Sequence, residues 1–174
     1  AARFVSEMLQ PAWAAIEESV LAAIDAAAAD APIEPDARVL SPSDFGFHNT
    51  LQHDGQLSFV DFEYAGWDDP AKLICDFICQ PELPVSSDEG VLFRDLVTDS
   101  LPESRAARAR VEVLLPVHRL KWCCILLNEF REEGRIRRMH AGLDASGLLT
   151  RQLEKAVQYF ELHLGNFANF KTEV

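Results

Sequence analysis

The chain has 174 residues, 48% hydrophobic and 25% charged, which fits one folded domain and excludes wholesale disorder. Its net charge of −12 repels nucleic acid, so a DNA or RNA partner is not expected; it suits a cationic small molecule or a metal ion. No apolar run reaches the roughly 20 residues of a membrane span and no secretory signal opens the chain, so a cytoplasmic protein without a membrane partner is expected.

The opening "AARF" lacks an initiator Met and points to a processed or truncated product. Residues 4–29 are expected to form one amphipathic helix, since Phe4, Val5, Met8, Leu9, Trp13, Ile16, Val20 and Ile24 recur at helical spacing. "DAPIEPD" breaks it with two prolines. "ARVL" (37–40) is a strand candidate. "TLQHDGQLSFVDF" (50–62) reads as a β-hairpin turning at Asp54-Gly55, and "EYAGWDD" as an acidic loop after it.

From Pro70 onward the pattern is helical. "PAKLICDFICQ" has Asp69 as its N-cap and Pro70 at the first helical position. "SDEGVLFRDLVTDS" follows, capped by Ser87 or Asp88. A long helix over 103–132 is expected to bend at Pro116. The last, "ASGLLTRQLEKAVQYFELHLG", is expected to close at Gly165. The fold class is therefore mostly α with a small β-hairpin (α+β), in one domain over 1–174. Its parts are the first helix (4–29), a loop and hairpin (37–62) and a helical bundle (69–165). The four cysteines, Cys75, Cys79, Cys123 and Cys124, lack zinc-site spacing and are expected to be buried and reduced.

The loops beside the hairpin carry the chemistry. A two-residue turn pairs His53 with Gln56 and Asn49 with Val60; a three-residue turn would set Asn49 opposite Asp61. Either register makes Asn49 and Asp61 neighbours, roughly 5 Å apart at the open end of the hairpin. In the first register their side chains start on opposite faces, so the alternation must relax at that end. Asp44, five residues before Asn49, enters the same end. Mg²⁺ takes one or two carboxylate or amide oxygens plus water and phosphate oxygens, and a further carboxylate can accept a proton from a hydroxyl nucleophile. Kinases order these parts as D-x-x-x-x-N followed by a second metal-binding Asp. Asp44, Asn49 and Asp61 stand in that order.

"SPSDFGFHNTL…LSFVDFEYAGWDDPAKLICDF" resembles the catalytic core of the aminoglycoside phosphotransferase and choline kinase superfamily, small-molecule kinases with a protein-kinase-like fold. The match is strongest over residues 40–80; "LKWCCILLNEF" downstream is also similar. The resemblance implies an ATP- and Mg²⁺-dependent phosphotransferase. In it Asp44 would be the catalytic base, Asn49 and Asp61 the Mg²⁺ ligands, and Asp76 an anchor accepting hydrogen bonds from the loop backbone. Asp69 would cap its helix and touch the loop. The family has His two residues before the catalytic Asp; here that position is Pro42, which bears on loop geometry more than on chemistry.

The chain carries neither GxGxxG nor GxxxxGK[ST], and its first lysine is Lys72. The nucleotide-binding N-terminal lobe is thus expected elsewhere, upstream or on a partner chain, and this chain reads as the C-terminal lobe. ATP would then have half a site. His48 stands beside Asn49 as a substrate contact or a hydrogen-bonder within the loop. Trp67 and Trp122 could cradle a quaternary ammonium, or Trp122 could be core. Glu129, with Glu132 and Glu133, could bind a substrate amine or form a solvated helix end. "RIRRMH" (135–140) offers an anionic partner a basic patch, or forms local ion pairs. Two further readings are a non-catalytic module that binds a ligand or protein, and a metal-dependent hydrolase. The second lacks another His and Asp ligand set.

Overall fold

A computed structural model describes residues 1–24, 31–131 and 147–168. The Ala run at 26–29, Glu132, Glu133 and the basic stretch 135–140 lie outside them. The described part is mostly helical, with a small antiparallel β region. Two compact units are distinguished: Ala1–Ala22 with Arg119–Val174, and Ala23–His118.

In the first unit the chain is helical from Ala2. It passes through a π-helical turn, Val5–Leu9, into α1 (Gln10–Ala23). Pro11 has no N–H to give the preceding turn. That turn widens, and the Gln10 N–H reaches the Val5 carbonyl instead. Of the apolar positions expected to share one buried stripe, Phe4, Leu9 and Ile16 are buried, whereas Trp13 is exposed. At the far end of the chain, Phe160 takes the edge of Phe4 with ring centroids 5.7 Å apart. Ala156, Phe160 and Leu164 are fully buried. They sit on a helix, Leu148–Ala168, that runs on through Gly165. Gly165 was expected to end it. Among the described glycines only Gly55 and Gly147 have positive φ, so Gly165 does not adopt the left-handed cap conformation.

In the second unit β1 (Val39–Ser41) does not stand alone. It pairs antiparallel with a strand at Gly66–Asp68, Leu40 opposite Trp67. That strand falls in the stretch expected to be loop, where three residues with a Gly give no alternation to read. Between the two lies the hairpin β2 (Thr50–His53) and β3 (Gln56–Phe59). His53 pairs with Gln56, which is the two-residue register. Asp54 (φ 47°) and Gly55 (φ 76°) both take positive φ, the turn whose twist matches the strands it joins. The strand Gly66–Asp68 completes the set as β4.

Next comes α2 (Pro70–Cys79), entered through Asp69 as expected: its Oδ1 accepts the Ala71 N–H over 2.8 Å. The following helix, α3 (Ser87–Asp99), is capped one residue earlier than expected, by Ser86. Ser86 Oγ accepts the Glu89 N–H (3.2 Å) and Glu89 Oε2 accepts the Ser86 N–H (2.7 Å). From Ser87 or Asp88 the third residue on is Gly90 or Val91, which cannot return that bond. The long helix α4 (Ser104–Leu126) contains Pro116, and a short turn, Asn128–Phe130, follows it. The C-terminal helix Leu148–Ala168 is α5. The core of the second unit is Ala71, Ile74 and Cys75 of α2 against Val111 of α4, flanked by Ile78, Phe93, Val97, Leu114 and Leu115.

Candidate active site

The loop 41–49 is held by its own aromatic residues. Phe45 stacks on Phe59 of β3 and Phe93 of α3, with centroids 5.0 and 5.6 Å apart. It also leans on Phe77 of α2 at 5.8 Å. Phe77 in turn meets Phe93 at 4.2 Å and takes Phe47 edge-on at 5.3 Å. Such ring pairs are directional as well as apolar, so the two phenylalanines of "DFGF" pin the loop to three elements. Gly46 between them is required for space. A Cβ there would lie 2.7 Å from His48 Nδ1 and 2.9 Å from Gln80 Cγ. Gln80 cannot easily yield: it is buried, and its Oε1 accepts the N–H groups of Glu82 and Leu83.

This anchoring brings Asp44, His48 and Asn49 together. His48 Nε2 lies 3.2 Å from Asp44 Oδ1, the imidazole mostly buried and the carboxylate half exposed. Asn49 Nδ2 donates to the Asp44 carbonyl over 2.9 Å. The Asn49 N–H donates to the Gly46 carbonyl, 3.1 Å away.

Asp61 arrives from the other strand. Val60 N–H donates to the Asn49 carbonyl over 2.9 Å, extending the ladder by one pair, so Asn49 lies opposite Val60. The strict alternation ends there. Asp61 is an exposed non-glycine residue with φ 65°, a conformation that costs about 1–3 kcal/mol and recurs at functional sites. Asn49 and Asp61 carry an amide oxygen and an exposed carboxylate, hard donors of the type that Mg²⁺ takes. Among the described residues no three His, Cys, Asp or Glu side chains group to hold a metal, so Asp61 does not join Asp44 and His48 in such a group.

Asp76 is 1% exposed. Its Oδ1 lies 3.2 Å from His118 Nδ1, and its Oδ2 3.4 Å from Lys72 Nζ. Lys72 also donates to Ser43 Oγ over 3.3 Å, so a link from Asp76 to the loop runs through a side chain. Asp69 is engaged by the cap and by Arg110, whose Nη2 lies 3.2 Å from Asp69 Oδ1. Trp67 is exposed on β4. Glu129 belongs to the first unit, in the turn Asn128–Phe130. Trp122 is a buried core residue of that unit. His53, at the hairpin tip, is 92% exposed.

Ser43, Lys72, His118 and the phenylalanine cluster support the loop without belonging to its motif. A partial signal existed for one: Asp68, Lys72 and Asp76 are spaced i, i+4, i+8, the spacing of ion pairs on one helix face. No helix among the described residues is long and apolar enough to cross a membrane. Set against protein-family models, curated proteins and solved structures, the chain matches none.

Proposed function

We propose that the chain is the C-terminal catalytic lobe of an ATP- and Mg²⁺-dependent phosphotransferase of the aminoglycoside phosphotransferase and choline kinase type. Its acceptor is a small-molecule hydroxyl: a choline-, aminoglycoside- or sugar-like compound, with the net charge favouring a cation. The observation that carries this reading is the hydrogen bond from Asn49 Nδ2 to the Asp44 carbonyl, which locks a base and a metal-ligand candidate into one turn.

The geometry supports the following roles. Asp44, half exposed, is reachable by a substrate hydroxyl and accepts its proton. His48 orients that carboxylate from its buried side. Asn49 Oδ1 and Asp61 would hold Mg²⁺, which when bound supplies charge neutralisation for the transferring phosphoryl group. The protein's remaining contribution is positioning, through Phe45, Phe47 and the clamp on the Asp44 carbonyl. The nucleotide lobe comes from elsewhere, so this chain alone transfers phosphate poorly.

The test is phosphate transfer from ATP, with Mg²⁺, to a panel of choline, aminoglycosides and sugars by the full gene product. Asp44→Asn should lower turnover by at least ~10²-fold. Near-normal turnover in that variant excludes Asp44 as the base.

A second reading is a non-catalytic lobe acting as a binding module. The exposure of Leu51, Leu57, Val60, Phe62, Tyr64 and Trp67 favours it, because exposed apolar side chains suit a protein partner. No transfer by the full gene product to any acceptor would select this reading.

A further inference from the structure

Lys72 lies in the first turn of α2, and three oxygens meet its ammonium group. Asp68 Oδ2 is 3.1 Å away, Asp76 Oδ2 is 3.4 Å away, and Ser43 Oγ is 3.3 Å away. The Ser43 contact is a hydrogen bond donated by the ammonium, and the two carboxylate contacts are ion pairs. The Asp76 end of the arrangement is fixed. A carboxylate this deeply buried requires compensating partners. Lys72 stands on one side of it and His118 of α4 on the other, the imidazole only 12% exposed.

The Ser43 end is conformationally costly. Ser43 has φ 72°, where a Cβ is disfavoured. It is held there by two bonds: its N–H donates to the Oγ of buried Ser41 over 3.2 Å, and its own Oγ accepts from Lys72. Ser43 directly precedes Asp44. If Ser43 relaxed toward negative φ, the chain would leave its path at Asp44, and the contacts to His48 and Asn49 would go with it.

We infer that Lys72 is a positioning residue for the phosphotransfer base, tying the strained Ser43 beside Asp44 to buried Asp76, which His118 braces from α4. The inference deepens the phosphotransferase reading and rests on it for the role of Asp44. The juxtaposition of the four side chains is independent of that role.

Amide hydrogen exchange on the whole chain tests it. Ser43→Ala removes only the hydroxyl and leaves the Lys72–Asp76 pair, so it retains the fold. Lys72→Met removes the charge and keeps the stem. In both, the Asn49 and Val60 amides, bonded to Gly46 and Asn49 carbonyls, should exchange at least ~10-fold faster while α3 amides keep their rates. Lys72→Arg should restore the slow exchange. Unchanged Asn49 exchange in Ser43→Ala overturns the inference, whether or not Lys72→Met accelerates it; if Lys72→Met does not fold, Ser43→Ala decides alone. Titration of the wild-type chain with Mn²⁺ judges the metal site separately. Faster exchange in the variants with no Mn²⁺ bound by the wild type would uphold the link and sink the metal-site reading.

Discussion

The side chain of Asn49 donates to the backbone carbonyl of Asp44, five residues earlier, over 2.9 Å. The bond closes the loop on itself and depends on an amide, since a carboxylate has no proton to give at neutral pH. Asn49→Asp is nearly isosteric and keeps an oxygen for a metal, yet it sets a negative charge against a carbonyl. We expect it to lower stability by about 1–3 kcal/mol at pH 7, the cost of an orphaned polar group. Urea unfolding of the two proteins, with an unchanged m-value, checks this; equal midpoints would refute it.

Phe77 is 5% exposed and touches Phe45, Phe47 and Phe93. Phe77→Ala should cost about 3–5 kcal/mol, the usual range for a buried Phe-to-Ala truncation. Phe77→Leu, which keeps most of the volume, should cost less. Both are measured by denaturant unfolding. A loss below about 1 kcal/mol in the alanine variant would mean the cluster is not packed as described.

His163 on α5 carries a pH dependence. Burial lowers its pKa, and the charge of Arg119 lowers it further. The folded protein therefore prefers the neutral ring. As pH falls through the ordinary His range, about 6.5, the unfolded chain takes up a proton that the folded chain resists. Stability should fall over that window and down to the folded midpoint, and be unaffected above it. His163→Gln should flatten the decline between pH 7 and pH 5, read from urea midpoints.

The four cysteines are free. Cys75, Cys79 and Cys123 are buried and Cys124 is exposed, against the expectation that all four would be buried. Burial, with its neighbour Cys124, pushes the Cys123 thiol up to about 12. Partial burial raises Cys124 as well, which lowers its thiolate fraction at a given pH. A thiol reagent at pH 8 should label Cys124 first and more slowly than a free thiol. The other three should react only on unfolding. Mass spectrometry of the labelled peptides checks the order.

Much of the fold was legible because local chemistry decided it. Asp54-Gly55 announces its own turn, and Asp69-Pro70 its own helix start. Elsewhere one residue outweighed the periodic pattern. Pro11 widened the turn before it. Glu89 moved a cap from Ser87 to Ser86. Gly165, with its φ left helical, ended nothing. At the candidate site the residue types were legible and the supports were not. Phe45, Phe59, Phe77 and Phe93 are apart in the chain and share no period. Lys72 reaches a serine 29 positions upstream, a contact no helical spacing announces.

The Asp54-Gly55 turn decides more than the hairpin tip. Its two positive-φ residues fix which residue Asn49 faces, six positions back. A Cβ on Gly55 would touch nothing within 4 Å, so only backbone torsion keeps other residues out. If the turn lengthened by one residue, Asn49 would face Asp61 instead of Val60. The address of the two metal-ligand candidates is therefore written at a solvent-facing glycine that contacts neither of them.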